Sequence, residues 1–411
     1  MWLRTGTFAA LRHRNYRIWF IGQAITLTGT WMQSIATSWL VYQMTGSELA
    51  LGLISFINSV PPVLLMLPAG ALADRLSRRK LLIITQTTFM ASAVALALLS
   101  ALGLLQVWHI AAAAVVSGLA SSFAMPTRHA LVVELVDDRR DLMNAIALNS
   151  TIFSLSKVIG PALGGVILAA LGATWCFGLN AVGYLGSLTA LFLIRLPEQP
   201  LKPKGAPLAK EILDGLRYVL ANVSVRTMMA LIAVSGTFAA SFTVLMPVYA
   251  TDVFDVGKTG LGAMNAANGV GALIGSLLVA STAQAKRQGF MLTIGNLAAP
   301  ALLLIFAFCT SYRVSLVFLV LVGASQILQN AVVNTLIQSS TPDALRGRVM
   351  GLYSLIMFGN WSLGTLLMGA VAQSIGAPPT VAIGAAITLA FGLVIYFTVP
   401  HLRRLQAGGE M

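Results

Sequence analysis

The chain contains long apolar stretches that no charged residue interrupts, such as residues 81–105 and 381–399. Each is long enough to cross a bilayer as a helix, which takes about 20 residues. Charged residues make up only 9% of the chain, against about 25% in soluble domains, so they cannot cover a water-facing surface. A membrane barrel would show short segments of alternating polarity instead. The sequence therefore predicts an all-α membrane protein.

Breaks at charged residues, glycine and proline divide the chain into twelve predicted spans. These are residues 16–43, 48–73, 81–103, 107–126, 143–171, 174–194, 225–250, 258–285, 289–311, 314–340, 348–375 and 378–400. The predicted organisation is an N-terminal six-helix bundle (1–194), a cytoplasmic linker (195–224), a C-terminal six-helix bundle (225–400) and a cytoplasmic tail (401–411). Within the linker, apolar residues of 211–220 fall at helical spacing, which indicates an amphipathic helix at the membrane surface.

The distribution of Lys and Arg predicts the orientation. Of 26 such residues, 23 fall on one side of the predicted spans, which leaves Lys157, Lys258 and Arg313. Because cytoplasmic loops carry the excess of Lys and Arg, both termini and the linker are predicted to be cytoplasmic. The same bias explains the net charge of +13, so we expect no nucleic-acid partner.

The two predicted bundles resemble each other in sequence. The matching positions are residues 29–31 with 236–238, and Gly160 and Gly165 with Gly364 and Gly369. Matched spans run in the same direction, which predicts a parallel repeat of six spans. Two such halves around a site at the membrane midplane are a carrier architecture.

The loop after span 2 reads Gly70-Ala-Leu-Ala-Asp74-Arg75-Leu-Ser-Arg78-Arg79-Lys80. It resembles the signature loop of the major facilitator superfamily, with Ser77 where that family usually has glycine. The resemblance implies that Asp74 caps the start of span 11, where the helix dipole favours a negative charge. Gly70, Asp74, Arg75 and Arg78 would then form a cytoplasmic latch. The alternative is that the basic cluster only fixes the topology.

In span 5, Gly160-Pro161-Ala-Leu-Gly164-Gly165 resembles the motif of exporters in this superfamily. Gly160 and Gly164 would let helices approach closely, and Pro161 can bend the span, so all three are predicted conformational residues. Ordinary close packing is the alternative. Residues 11–23, 45–47 and 126–131 resemble the branch that contains enterobactin exporters and macrolide efflux pumps. Many drug-proton antiporters carry an arginine midway along span 4. In this chain, His109 is the only titratable residue of 107–126.

Carriers of this family line their cavity chiefly with spans 1, 4, 7 and 10, so polar side chains there are predicted to contact the substrate. One helical face of span 1 and one of span 10 are polar. These faces consist of Gln23, Thr26, Thr30, Gln33 and Thr37, and of Gln326, Asn330, Asn334 and Gln338. We select Thr30, Gln33, Thr37, Gln326, Asn330 and Asn334 as candidate binding residues. The alternative is hydrogen bonding between helices.

Lys157 is the only charged side chain near the middle of any predicted span. A lysine there costs about 2.5–3.5 kcal/mol during membrane insertion, so we expect it to face the cavity, with Phe153 on the same helical face. It would bind an anion or titrate during transport. The alternative is a structural lysine bonded to carbonyls freed near Pro161. None of the 13 acidic residues lies in mid-span, which favours a neutral, anionic or zwitterionic substrate.

These features predict a secondary active transporter that exports a small organic molecule, such as a siderophore, a macrolide or a drug-like compound, by proton antiport. A lysophospholipid carrier is one alternative, and a membrane receptor or enzyme is another. The four histidines are scattered, so we predict neither an enzyme nor a metal site, and no cofactor. The expected partners are the substrate, protons and membrane lipids, for a monomer in a bacterial inner membrane.

Overall fold

The computed structural model describes residues 8–73, 76–136, 138–194, 208–281, 288–400 and 402, and all regular secondary structure in these ranges is helical. The helices are α1 (Arg14–Thr45), α2 (Glu48–Ala73), α3 (Arg78–Ala101), α4 (Val107–Glu134), α5 (Leu142–Ala170), α6 (Ala173–Leu193), α7 (Leu208–Ala221), α8 (Val223–Val253), α9 (Gly257–Ser281), α10 (Gln288–Ala307), α11 (Tyr312–Ser340), α12 (Asp343–Ile375) and α13 (Ala377–Thr398). The predicted spans correspond to α1–α6 and α8–α13, and α7 is the linker helix.

Eleven of these helices are long and apolar enough to cross a membrane. The remaining predicted span is α1, which has 32 residues but a lower hydropathy because of its glutamines and threonines. Large apolar side chains such as Leu64, Ile84 and Phe397 are more than 60% exposed. Exposed apolar surface of this kind is expected where a protein faces lipid rather than water. The predicted all-α membrane fold is confirmed.

Helix α4 extends further than predicted. The sequence-based boundary at residue 126 lies at a proline, yet the helix continues to Glu134. The residues after Pro126 continue an apolar face, and Leu131 and Val132 are buried beside Trp19 of α1. This packing stabilises the helix beyond the proline, and it places Arg128 inside α4 rather than in a loop.

Contacts divide the chain into two units. The first contains Met1–Gly46, Ile57–Lys204 and Lys258–Ala266. Within it, α1 packs against α5 and α6, while α3 packs against α4 and α6. The start of α9 crosses α5 at Gly165 and Gly262, where a Cβ atom added to Gly165 would lie 2.8 Å from the Cα of Gly262. Only glycine permits backbones to approach so closely.

The second unit contains Ser47–Phe56, Gly205–Gly257 and Ala267–Met411. Here α10 packs against α11 and α13, and α12 packs against α7, α13 and the middle of α8. The linker helix is fixed by an ion pair of 3.2 Å between Asp214 and Arg348. In addition, the Tyr218 hydroxyl donates to the carbonyl oxygen of Ser340 at 2.8 Å.

The internal repeat is visible within each unit separately. In the first unit, Gly160 of α5 lies against Thr28 and Trp31 of α1. In the second unit, the matching Gly364 of α12 lies against Thr237 of α8. The crossing of α5 with α1 in the first unit therefore recurs as a crossing of α12 with α8 in the second unit, as the predicted repeat requires.

The N-terminal segment is fixed to the start of α5 in the first unit. Asp141 accepts hydrogen bonds from His13 at 3.1 Å and from Arg12 at 2.9 Å. The pKa of Asp141 is lowered from its usual value, mainly by the hydrogen bond from His13 and also by Arg12. A lowered pKa contributes stability above the ordinary pKa, and this contribution is lost as the pH falls through the lowered value.

We therefore expect the N-terminal contact to persist from neutral pH down to about pH 4 and to weaken only at more acidic pH. Hydrogen exchange of residues 9–20 as a function of pH would measure this. Asp141→Asn should raise exchange across the whole range, because the carboxylate is gone. Weakening of the wild-type contact already near pH 6 would contradict the assignment to Asp141.

Candidate functional site

The structure places Lys157 near the middle of α5 in the first unit, half-buried beside two aromatic rings. Its Nζ atom lies 6.0 Å from the ring centroid of Trp31. Trp31 meets Phe153 edge to face, with centroids 6.0 Å apart. A cation at this distance from an indole face is stabilised by the ring quadrupole. We call Lys157, Trp31 and Phe153 the cation–aromatic cluster.

Close approach of two helices creates this cluster. A Cβ atom at Gly160 would lie 2.5 Å from the Cβ of Trp31, and one at Gly164 would lie 3.1 Å from the Cα of Met32. Any larger residue at either glycine would push α1 away from α5. The predicted small-residue face therefore brings Trp31 to Lys157, one turn before Gly160.

Nothing in the described structure neutralises Lys157. Among the described residues, no carboxylate forms an ion pair with Lys157, and no oxygen near it, including those around Pro161, accepts a hydrogen bond from its Nζ atom. Moreover, the residue that matches Lys157 in the repeat is Trp361. The packing of the repeated crossing therefore does not require a lysine. Both observations favour an interaction with a solute over a structural role.

The polar face of α1 is directed toward α6 over most of its length. Gln23 donates to Ser187 at 3.1 Å, and Thr26 donates to the Gly183 carbonyl at 2.9 Å. Both α1 side chains are 1% exposed. These contacts are the hydrogen bonds between helices that formed the alternative interpretation.

Farther along the same face, the predicted binding residues are more accessible. Gln33 accepts from Asn180 at 2.7 Å and is half-buried. The hydroxyl of Thr30, an exposed residue, lies 3.3 Å from that of Tyr184. Thr37 is half-buried one turn beyond Gln33. Contact of these three residues with a substrate remains a prediction. Such contact would require at most partial loss of the hydrogen bonds of Gln33 and Thr30 to α6.

In the second unit, the polar face of α11 remains partly accessible. Gln326, Asn330 and Asn334 are half-buried, and Gln338 is exposed. Gln338 donates to Asn334 at 2.5 Å along the same helix. The buried Nε2 atom of Gln326 has no hydrogen-bond partner among the described residues. An unpaired buried donor is costly, and contact of Gln326 with a solute stays a prediction.

A separate polar network in the second unit was not predicted. Gln329 of α11 is 1% exposed and donates to Asn296 of α10 at 3.0 Å. It also accepts from Ser235 of α8 at 3.1 Å. Ser235 begins a π-helical turn, Ser235–Ala239, a geometry often found at functional sites. The sequence places Gln329 one residue from Asn330, but only tertiary packing distinguishes the two faces.

The predicted latch is described only in part. Asp74 and Arg75 lie outside the described residues, and Gly70 lies within α2. Arg78 begins α3 and forms an ion pair with Glu134 at the end of α4. Their side chains are 20% and 10% exposed. Arg78 therefore joins two helices of the first unit.

Arg78→Ala should destabilise the protein by about 3–5 kcal/mol, because it leaves the Glu134 carboxylate buried without its partner. Removing both charges, with Arg78→Met and Glu134→Gln together, should cost less than Arg78→Ala alone. Thermal unfolding of the purified variants in detergent would measure these differences. As a control, Arg140→Ala removes an exposed arginine, and we expect almost no change. Equal stability of Arg78→Ala and wild type would contradict the structural role.

Among the described residues, no group of three or more His, Cys, Asp or Glu side chains could hold a metal ion. The chemistry available at the cation–aromatic cluster is binding. A half-buried ammonium and two rings can hold an anionic or aromatic group through charge and ring contacts. The accessible amides of α11 can add hydrogen bonds.

Comparison with known proteins agrees with the architecture. Relatives 27% identical over 403 residues include the enterobactin exporter EntS of Escherichia coli O1:K1 and that of Shigella boydii serotype 18. In both cases the match covers 96% of this chain and 94% of the relative.

Solved structures show the same fold. A POT family transporter in complex with 5-aminolevulinic acid has a TM-score of 0.77 at 12% identity, covering 95% of this chain and 96% of that one. The nucleoside transporter NupG has a TM-score of 0.69 at 14% identity, covering 94% and 98%. The sequence profile of the family described as transmembrane secretion effector matches residues 5–408. The chain therefore belongs to the transmembrane secretion effector family of the major facilitator superfamily, and it is a multi-pass membrane transporter.

Proposed function

We propose that the protein exports a small organic molecule from the cytoplasm, and that Lys157 binds a negatively charged group of this solute. The observation that carries the proposal is the uncompensated lysine near the middle of α5. A charged residue inside a membrane span is costly and usually marks a substrate or ion pathway. A solute anion would balance this charge each time the site is loaded.

The relatives support export as the direction. Proteins named enterobactin exporters match this chain over nearly its whole length. We therefore propose a siderophore as the first solute class to test, with macrolides and other drug-like compounds next. Trp31 and Phe153 beside Lys157 suit a solute that carries an aromatic or planar group near its negative charge.

We further propose that the protein resides in a bacterial inner membrane as a monomer, with both termini in the cytoplasm. The distribution of Lys and Arg supports this orientation. Two six-span halves, 1–194 and 225–400, would expose the site alternately to the two sides, with 195–224 linking them.

In this proposal Gly70, Asp74, Arg75 and Arg78 form the cytoplasmic latch. Asp74→Asn should then keep insertion and lose most transport.

Everted membrane vesicles test the direction. With enterobactin as the first probe, vesicles that contain the protein should accumulate the solute, because the cytoplasmic face is outside. Vesicles with Lys157→Met should not accumulate it. In intact cells, deletion of the gene should increase retention of the solute. Faster uptake by intact cells that express the protein would contradict export.

Proton antiport requires a separate measurement. Accumulation in the vesicles should fall when the pH gradient is collapsed with a protonophore or nigericin, while exchange of labelled for unlabelled solute continues. Accumulation that is indifferent to the pH gradient would exclude proton coupling. It would leave the direction and the binding site unaffected, since these are measured independently.

A further inference from the structure

A second cation that has no acidic partner among the described residues lies in the first unit. Arg128 belongs to α4, six residues before its end at Glu134. Its Nε atom is buried and has no hydrogen-bond partner among the described residues, whereas the residue as a whole is half-buried. Guanidinium groups in protein interiors are normally paired with a carboxylate or fully hydrogen-bonded. Arg128 therefore presents donors that no described protein group uses.

Two described acidic residues that follow Arg128 along the chain pair with other arginines. Glu134 pairs with Arg78, and Asp138 pairs with Arg140. Two described residues interact electrostatically with Arg128, namely the adjacent His129 and the aromatic Tyr184 of α6. Tyr184 is stacked on Phe89, and its hydroxyl lies 3.3 Å from that of Thr30. Tyr184 therefore interacts both with Arg128 and with Thr30, one of the predicted binding residues on the polar face of α1.

Lys157 and Arg128, the two cations without a described acidic partner, lie at different depths. Helices α4 and α5 are joined by a short connection, so the end of α4 and the start of α5 lie on the same side of the membrane. With a rise of about 1.5 Å per residue, Arg128 lies roughly 9 Å from that side and Lys157 roughly 22 Å. The difference is about 13 Å along the helices, a distance that the two long side chains can adjust by several ångströms.

We propose that Arg128 is a second solute-binding residue, and that the exported solute is an organic anion with two separated acidic groups, one on Arg128 and one on Lys157. This inference rests on the proposed function, because it assigns Lys157 to the same solute. A dianion would balance both charges at once. A solute with one acidic group would leave one cation uncompensated in a half-buried site, which is unfavourable.

Two synthetic probes that differ in a single group test the inference. One is a rigid stilbene with a carboxylate at one end, and the other has a carboxylate at both ends. Their dissociation constants are measured by titration calorimetry on the full-length protein in lipid nanodiscs. Wild type should bind the dicarboxylate about tenfold or more tightly than the monocarboxylate, as expected for an added hydrogen-bonded charge pair.

Variants assign the gain to particular residues. Arg128→Gln should bind the two probes with nearly equal dissociation constants, because it weakens binding of the dicarboxylate and hardly changes binding of the monocarboxylate. Arg128→Lys should keep part of the preference for the dicarboxylate. Lys157→Met should weaken both probes. Arg140→Gln is the matched control, because its side chain is 92% exposed, and it should keep the wild-type preference. Thermal unfolding of each variant confirms that it is folded.

Two outcomes would overturn the inference. In one, folded Arg128→Gln keeps the wild-type preference for the dicarboxylate. In the other, wild type fails to bind the dicarboxylate or fails to prefer it. The proposed function is tested separately by Lys157→Met. If that variant binds the monocarboxylate as wild type does, the proposed binding site is wrong. If Lys157→Met loses binding of both probes while Arg128→Gln keeps the wild-type preference for the dicarboxylate, only the proposed contact of the solute with Arg128 is wrong.

Discussion

Replacing Lys157 with methionine should lower the affinity for the exported solute by about 10- to 100-fold, the range expected when a hydrogen bond to a charged group is lost. Methionine has a similar length and packs well in apolar surroundings, so the fold should persist. Lys157→Arg should keep partial binding, because the positive charge remains. Solute affinity of the purified variants is the direct measurement.

Transport assays separate binding from titration. If Lys157 binds an anionic group, the methionine variant should lose both exchange and accumulation at every pH. If it only carries a proton, that variant should still bind and exchange the solute, and should fail only at accumulation driven by a pH gradient. A methionine variant equal to wild type in affinity, exchange and accumulation would remove Lys157 from the mechanism.

Replacing Gly52 with leucine should abolish transport almost completely. In the second unit, a Cβ atom at Gly52 would lie 2.5 Å from the carbonyl oxygen of Thr365 and 3.2 Å from the Cα of Leu366. Backbone atoms cannot move aside as side chains can, so leucine must displace the start of α2 from α12. The matching crossing of α5 and α9 in the first unit is equally close. We therefore expect transport to require both crossings.

Crosslinking would show whether the crossing itself is lost. The hydroxyl of Ser47 lies 2.5 Å from Oε1 of Gln373, so cysteines at these two positions should be within reach of a short bifunctional thiol crosslinker. Cys176 and Cys309 would first be replaced with serine. Adding Gly52→Leu should prevent the crosslink. Gly351→Leu is the matched control on α12, because a Cβ atom there meets nothing within 4 Å. Normal transport by folded Gly52→Leu would contradict a requirement for this crossing.

The positions of the helices could be predicted because the apolar runs are long. Most predicted boundaries fall within a few residues of the observed ones, since charged residues and glycines mark the ends of the spans. The end of α4 was missed because proline is a strong local signal, while burial of Leu131 and Val132 against α1 is a tertiary effect. Because the predicted span ended at residue 126, Arg128 was assigned to a loop and was not considered as a charged residue within a span.

The orientation of polar faces was harder to predict. Helical spacing showed that α1 has one polar face, but not which helix that face meets. Gln23 and Thr26 proved to bond with α6, since Ser187 and the Gly183 carbonyl lie opposite them. Trp31 was missed as a neighbour of Lys157 because an aromatic residue in an apolar span carries no distinctive local signal. Lys157 was found because a lone charge in mid-span is rare.

The lack of a carboxylate near Lys157 in the described structure also has an electrical consequence. With the site empty, a charged Lys157 places one positive charge in the interior of the membrane, and the acidic group of the solute that binds Lys157 would cancel it. Each elementary charge that crosses a potential of 100 mV changes the free energy by about 2.3 kcal/mol. A cell interior that is negative would therefore favour the empty transporter in the state whose site communicates with the cytoplasm. The membrane voltage would thus help to return the empty transporter for its next solute, and it would leave the neutralised, loaded form unaffected.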